Sequence, residues 1–306
     1  MTVFPLARPI HVLVAGQTDT GRQRMENQDD FLVADLTVPH GEGGLLLRPE
    51  DHGKAIEPGR VSVGPRGALL VVADGMGGGA AGGLASRLAT LWIHQELIGA
   101  WTRERGVSAE RFAACIRMAL ERANSRIFQQ SMDNPDFRGM GTTATVAGVL
   151  EDTLYLAQVG DSRAYLVRNG VATQITRDQS MVQAMIEAGT LTEEEAERSS
   201  RRNVILQALG PKPEIEVDLT YQTIRRGDAL VLCSDGLSRQ VRREEIADAI
   251  ASQGGLTGAC DELIALANER GGPDNITVVL AIFEGEGLEP PTLEDVVERR
   301  AFTSTK

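Results

Sequence analysis

Three apolar stretches stop at an aspartate, and a fourth begins just after one. "LLVVADG" ends at Asp74, "LYLAQVGDS" at Asp161 and "LVLCSDG" at Asp235, while "GGPDNITVVL" starts from Asp274. One such residue is an ordinary turn former, because Asp bonds its own backbone and tolerates turn conformations. Four of them, each bordering a strongly apolar strand, point further. If neighbouring antiparallel strands bring these ends together, four carboxylates share a small volume. They cannot all stay ionised there without a counter-charge. No lysine stands beside any of them, so a bound cation is the natural solution.

The candidate ligands are hard carboxylate oxygens. His11, His40, His52 and His94 lie outside these stretches, and no cysteine pair has zinc spacing. Oxygen-only sites select Mg²⁺ or Mn²⁺ over Zn²⁺. Several carboxylates can hold two ions, and a pair of metals suits phosphoryl chemistry. "RMENQDD" adds Arg24, five residues before Asp29, with a planar fork matched to phosphate oxygens. After Asp74 comes a glycine-rich run. Without a Cβ, Gly75 lets its own carbonyl approach a metal, and Gly77 and Gly78 let the backbone turn. Gly82 and Gly83 read as close helix–sheet packing.

The elements that must position these residues follow from periodicity. "HVLVAGQTD", "DDFLVADL" and "GALLVVAD" read as strands, with residues 37–66 as an irregular surface insertion. A helix from about Gly79 places Leu84, Leu88, Leu91 and Trp92 on one face. A second, from an N-cap at Ser108 to about Met132, buries Phe112, Ile116, Ala119, Leu120, Ala123 and Ile127. "TTATVAGVL", "TLYLAQV", "AYLVR" and "VATQIT" follow as short strands, turning at Glu151-Asp152 and Asn169-Gly170. Connections this short make the sheet antiparallel and put Asp161 in a tight hairpin turn. Residues 178–210 read as a polar, helical excursion. Strands "EIEVDLTY" and "DALVLCSD", two helices (about 242–253 and 256–270) and a strand "NITVVLAIF" complete the pattern. The polar tail from Glu284 reads as loosely held.

A chain of 306 residues with 42% apolar content holds a full core in one large domain or two small ones. A net charge of -12 repels nucleic acid. The arginine groups at 198–202, 225–226 and 242–243 read as solvated surface. There is no long apolar run for a membrane span and no charged leader ahead of the first apolar stretch. Cys115, Cys233 and Cys260 are odd in number and widely spaced, which suits a reducing cytoplasm. Oligomeric state is not legible; a monomer is favoured.

Taken together, the motifs resemble the type 2C (PPM) metal-dependent protein phosphatases of the bacterial branch. The matches run in order: "RMENQD" (24–29), "VADGMGG" (72–78), "GMGTTAT" (139–145), "VGDSRAY" (159–165), "CSDGLS" (233–238) and "GGPDNITVV" (271–279). The resemblance implies an α+β fold, a four-layer α-β-β-α sandwich of two antiparallel sheets flanked by helices. It implies a domain over residues 1–285, with a flap at about 178–210 and a polar tail at 286–306. The implied activity is metal-dependent hydrolysis of phosphoserine and phosphothreonine in proteins by a metal-bridging hydroxide, without a phosphoenzyme. The implied cofactors are two tightly bound Mn²⁺ or Mg²⁺ ions and a weaker third. By position, Asp74 would bridge two metals, with Asp235 and Asp274 on the first and the Gly75 carbonyl and Asp29 on the second. Asp161 with Asp235 would hold the third, and Arg24 would grip the substrate phosphate. Partners would be phosphorylated proteins and a cognate Ser/Thr kinase. Met76, Gly79, Gln179 and Leu84 depart from residues common in relatives. Met76 stands where some carry a histidine proposed as general acid, which leaves a metal-bound water to protonate the leaving group.

Three other readings compete. Gly77, Gly79 and Gly82 fit G-x-G-x-x-G, but a dinucleotide fold needs a second parallel strand soon afterwards, and a second helix follows instead. Cys233, Gly236 and Arg239 fit C-x-x-G-x-x-R, the phosphate loop of cysteine-dependent phosphatases. There Asp235 would sit inside an anion-binding loop. A non-catalytic binding module of the same fold would be expected to lack some of the aspartates, and all are present.

Overall fold

The computed structural model describes residues 9–38, 44–49, 59–77, 81–101, 103, 107–252 and 254–302. The first half runs β1 (His11–Asp19), β2 (Asp29–Asp35), β3 (Leu45–Leu47), β4 (Gly59–Ser62), β5 (Ala68–Met76), α1 (Ala81–Trp101) and α2 (Ala109–Asp133). Then come β6 (Gly141–Thr142), β7 (Ala144–Leu150), β8 (Thr153–Val159), β9 (Arg163–Arg168) and β10 (Val171–Gln174). Two short helices follow, α3 (Met181–Glu187) and α4 (Glu193–Glu197), then β11 (Asp218–Thr223) and β12 (Ala229–Cys233). The chain closes with α5 (Asp235–Ser238), α6 (Arg243–Ala251), α7 (Gly255–Glu269), β13 (Ile276–Glu284) and β14 (Arg300–Ala301).

Two antiparallel sheets result. One has the order β10-β9-β12-β13-β1-β4, the other β14-β11-β8-β7-β5-β2-β3 with β6 beside β5. Strand side chains alternate between faces. Leu70 and Val72 of β5 meet Leu230, Leu232, Val279 and Ala281 between the sheets, while Leu69, Val71 and Ala73 turn toward α1 and α2. Val231 and Cys233 of β12 turn the other way, against α6 and α7. Each large apolar side chain fully buried in these layers contributes about 1.5–3 kcal/mol. Two-sided burial is why these strands read as unbroken apolar runs. The layers are helices, sheet, sheet, helices, which is the expected α+β sandwich. β1 pairs along its whole length with β13, so the two ends of the sequence meet inside one sheet.

α2 buries the expected face, Phe112, Ile116, Ala119, Leu120, Ala123 and Ile127, and Ser108 caps it by accepting from the Arg111 amide. The Glu151 and Asn169 turns take the left-handed backbone expected of tight hairpins. Four expectations need correction. The buried face of α1 is Ala81, Ala85, Ser86, Ala89, Thr90, Ile93 and Leu97; Leu84, Leu88 and Trp92 pack only at its flank. Small side chains bring this helix close to the sheet. Asp161 is not in a hairpin: β8 pairs with β7 and β11, whereas β9 pairs with β10 and β12. The Gly160–Ser162 link instead crosses from one sheet to the other. Gly160 has φ +107, and a Cβ there would meet Thr143 at 2.6 Å. Part of the 37–66 segment is regular, since β4 pairs with β1 and β3 with β2; residues 39–43 and 50–58 lie outside the described residues. The tail is docked. β14 pairs with β11, Phe302 stacks edge-on against Tyr155 and Tyr221, and Asp295 pairs with Arg225 at 2.9 Å.

A buried ion pair braces the end of the sandwich. Arg168 meets Asp228 through two parallel bonds of 2.9 and 2.6 Å, with side chains 4% and 0% exposed. The Arg225 amide donates to the same carboxylate at 2.7 Å.

Candidate active site

The register of β2 against β5 sets Asp29 directly opposite Asp74. Each lies where its strand opens toward the loops: β2 starts at Asp29, and β5 runs two residues past Asp74. Asp235 opens α5 just after β12, and Asp274 precedes β13, the neighbour of β12. Asp161 sits in the link between the sheets. Sequence-distant strand ends thus converge, as the spacing predicted.

Their electrostatics show the convergence. Asp74 is raised well above the usual carboxylate range, first by burial and then by Asp29, Asp235, Asp161 and Asp274. Burial pushes Asp29 up to about 7, with Asp235 and Asp274 adding to the rise. Asp161 is also pushed up to about 7, by burial and by Asp235, against the pull of Arg239. Burial raises Asp235 as well, again opposed first by Arg239.

Two arginines answer part of this charge. Arg24, half-exposed at the rim, donates to Asp274 Oδ2 at 2.7 Å. Arg239 stands 3.0 Å from Asp161 Oδ2 and 2.7 Å from Asp235 Oδ2. The absence of lysine was legible in the sequence; this role of Arg239 was missed. Its signal was the i,i+4 spacing from Asp235, which brings opposite charges together on a helical turn. Two guanidiniums do not balance five carboxylates.

Other residues fix the aspartates in place. Thr143 Oγ1 accepts from the Asp74 amide at 3.0 Å, and Thr142 Oγ1 donates to the Asp74 carbonyl at 2.9 Å. This gives the threonines of "GMGTTAT" a task. Asn275 staples the arginine-bearing loop: its Nδ2 donates to the Thr20 and Glu26 carbonyls, and its Oδ1 accepts from the Gln28 amide, all at 2.9 Å. Sequence reasoning named neither, because the partners are far away in the chain. Gly75 is required sterically: a Cβ there would lie 2.2 Å from the Gly82 carbonyl and 2.5 Å from the Gln28 carbonyl. Gly82 is the other side of that contact, as the packing reading expected. Gly77 has φ +146, while Gly78 and Gly79 lie outside the described residues.

Among the described residues, no three His, Cys, Asp or Glu side chains form a ready-made metal cage; Arg24 and Arg239 hold three of the five carboxylates instead. The donor set still fits hard divalent cations. All its side-chain donors are carboxylate oxygens, and Asp29 Oδ1 is buried with no hydrogen-bond partner. Its Oδ2 accepts from Thr277 Oγ1 at 2.7 Å. A buried carboxylate oxygen left bare costs free energy unless something cationic or a donor meets it.

The site opens into a cleft of about 1080 Å³, bordered by Arg24, Asp161, Asp235 and Asp274 and roofed by residues of the 178–210 excursion, including Arg202 and Asn203. Gln179, one of the departures, ties the base of that excursion to the sheet crossing. Its Oε1 accepts from the Gly160 amide at 2.8 Å and its own amide donates to the Gly160 carbonyl at 2.9 Å. The cysteine-loop reading fails on geometry. Cys233 is fully buried against the helix layer, its thiol is pushed up to about 12 by burial, and Arg239 is spent on carboxylates. A thiol in that state is not a nucleophile. All three cysteines are free and buried, and no helix among the described residues is long and apolar enough to cross a membrane.

Comparison with known proteins agrees with this geometry. Residues 58–276 match the family model described as Protein phosphatase 2C. The chain is 37% identical to a Serine/threonine phosphatase stp of Listeria welshimeri over 265 residues, 86% of this chain and 93% of that protein. It superposes on the Streptococcus agalactiae serine/threonine phosphatase with TM-score 0.73 and 31% identity, over 89% of this chain and 99% of that one. It also resembles the catalytic domain of the serine/threonine protein phosphatase PstP solved in complex with two manganese ions. There the TM-score is 0.68 and the identity 34%, over 90% of this chain and 99% of that one. With its motifs spread over both sheets and their strand ends gathered at one cleft, the chain belongs to the protein phosphatase 2C family.

Proposed function

We propose that this protein hydrolyses phosphoserine and phosphothreonine esters of other proteins, using divalent cations held by the aspartate cluster. The observation that carries this reading is the opposed Asp29–Asp74 pair, ringed by Asp161, Asp235 and Asp274 and left with a bare buried oxygen. Asp74, Asp235 and Asp274 would hold one cation, Asp74, the Gly75 carbonyl and Asp29 a second, and Asp161 with Asp235 a third, weaker one. Mn²⁺ or Mg²⁺ is the fitting ion, and the two manganese ions of the similar PstP structure support the choice. Bound cations supply a water acidified to near neutral pH and charge to offset the phosphoryl oxygens.

The chain's own residues do the rest. Arg24, half-exposed at the rim beside Asp274, would turn its fork to two phosphate oxygens of the substrate and stabilise the charge that grows on them. The Thr142 and Thr143 clamps hold Asp74 fixed, so little reorganisation accompanies the reaction. The 178–210 flap roofs the cleft and receives the polypeptide around the phosphorylated residue. No side chain is consumed as a nucleophile, so no phosphoenzyme forms. Phosphoproteins made by a cognate Ser/Thr kinase are the proposed substrates. Three reduced thiols support a cytoplasmic setting. The test is Mn²⁺-dependent phosphate release from a phosphothreonine peptide by the metal-stripped protein. Turnover that appears with Mn²⁺ and is absent in Asp74→Ala supports the reading; full turnover in excess chelator overturns it.

A further inference from the structure

Arg239 touches three parts of the molecule at once. Its Nη2 lies 2.7 Å from Asp235 Oδ2 and 3.0 Å from Asp161 Oδ2, and it donates to the Arg202 carbonyl at 3.2 Å. Its Nη1 donates to Asn203 Oδ1 at 2.6 Å. Asp161 belongs to the crossing between the sheets, Asp235 to the start of α5 just after β12, and Arg202 and Asn203 to the flap. The base of the flap is closed by its own bonds, from the Met181 amide to the Val204 carbonyl at 2.8 Å and from the Leu206 amide to the Gln179 carbonyl at 2.7 Å. Beyond that base the situation differs. Among the described residues, the hydrogen bonds from 199–204 to anything outside the flap are the two to Arg239.

The guanidinium therefore does two jobs. It is a counter-charge for two carboxylates, and it is the latch that holds the flap's return segment over the cleft. A divalent cation at Asp161 and Asp235 competes with it. Both species are positive and both draw on the same two carboxylates, whose Oδ2 atoms the guanidinium already holds, so each weakens the other. We propose that Arg239 is a positioning residue. It latches the flap to Asp161 and Asp235 and lets go when a divalent cation takes that carboxylate pair, so that cation occupancy is transmitted to the flap. This rests on the reading of the aspartates as cation ligands. It adds to that reading a competitor, built into the chain, that weakens the cation at this pair and couples its arrival to the opening of the roof.

Lysine separates the two jobs. It keeps the charge but is a single point donor without the planar fork. The experiment compares the full-length, metal-stripped wild type with Arg239→Ala and Arg239→Lys, each checked for folding by circular dichroism. Mn²⁺ alone is titrated by calorimetry, and amide exchange at residues 199–204 is followed at each Mn²⁺ concentration. In the wild type, exchange at 199–204 should stay slow until the weak Mn²⁺ step fills and then rise at least about tenfold, the effect of losing one charged hydrogen bond. In Arg239→Ala, the weak step should tighten by about tenfold or more, and exchange should be fast at every Mn²⁺ concentration. In Arg239→Lys, the weak step should stay weak while exchange is already fast. An Arg239→Ala variant with unchanged weak Mn²⁺ affinity overturns the competition. Equal exchange in all three metal-free proteins overturns the latch. A wild type that binds no Mn²⁺ overturns the cation reading and the competition together, and the latch is then decided by metal-free exchange alone.

Discussion

Asp29 and Asp74 are direct partners in the β2–β5 ladder, so two carboxyl groups that repel when both are ionised face each other inside the protein. Opposed like charges destabilise a sheet by up to about 1 kcal/mol. Asp74→Asn keeps the shape and removes the ionisable group, and with it the cost of holding a carboxyl there. Metal-free Asp74→Asn is expected to melt roughly 2 °C above wild type, while Mn²⁺-dependent turnover falls to background. Melting curves in chelator alongside phosphopeptide assays check both. A lower melting temperature together with retained turnover would refute the assignment.

Arg24→Ala removes the fork but no ligand. It is expected to lower kcat/KM on a phosphopeptide by about 10- to 150-fold, the worth of a charged hydrogen bond of roughly 1.5–3 kcal/mol. Calorimetry should find the tight Mn²⁺ ions still bound. Unchanged kinetics would place Arg24 outside the site.

Cys233→Ser tests the mechanism from the opposite side. The thiol is sealed between β12 and the helix layer, so turnover per folded molecule should be largely kept. The buried hydroxyl should cost about 1–3 kcal/mol of stability, read from denaturant unfolding. Loss of turnover in a folded, Mn²⁺-loaded variant would revive the cysteine mechanism.

Asp161→Asn should fold and still bind the tight ions. The weak Mn²⁺ step should disappear, and the Mn²⁺ concentration needed for turnover should rise. A metal titration of activity beside calorimetry decides this. A variant that matches wild type in both leaves Asp161 as a linker residue only.

Asp228→Ala strands the Arg168 guanidinium in the interior. Breaking one side of a buried pair costs about 3–5 kcal/mol, so the denaturation midpoint should fall sharply. The double variant Arg168→Met/Asp228→Leu should recover much of the loss. No recovery would show that the fork's geometry, and not its charge balance, matters here.

The strand ends, the α2 face and the hairpin at Asn169-Gly170 were legible because each rests on a local pattern. The crossing at Asp161 was not. A hairpin and a link between stacked sheets ask for the same short polar turn, and only the partners of β8 and β9 distinguish them. The buried face of α1 was hidden for a different reason. Ala81, Ala85 and Ala89 carry little hydrophobic signal, although their smallness lets the helix pack close to the sheet. Thr142, Thr143 and Asn275 act through partners dozens to hundreds of residues away, so no local window reveals them. Arg239 was weighed only as the arginine of a cysteine phosphate loop, a reading set aside because Asp235 would sit inside it; its i,i+4 spacing from Asp235, which makes it a counter-charge, went unread.

The docked tail bears on solubility. β11 pairs with β8 on one side and with the two-residue β14 on the other, and Phe302 covers the Tyr155 and Tyr221 rings beside it. Without this cap, β11 would be an open border offering unpaired amides and carbonyls next to exposed aromatic surface, the combination that templates strand-to-strand aggregation. A chain shortened to end before Thr292 would keep every residue of the cleft and lose its chaperoned edge, so its failure would be seen as precipitation rather than as loss of catalysis.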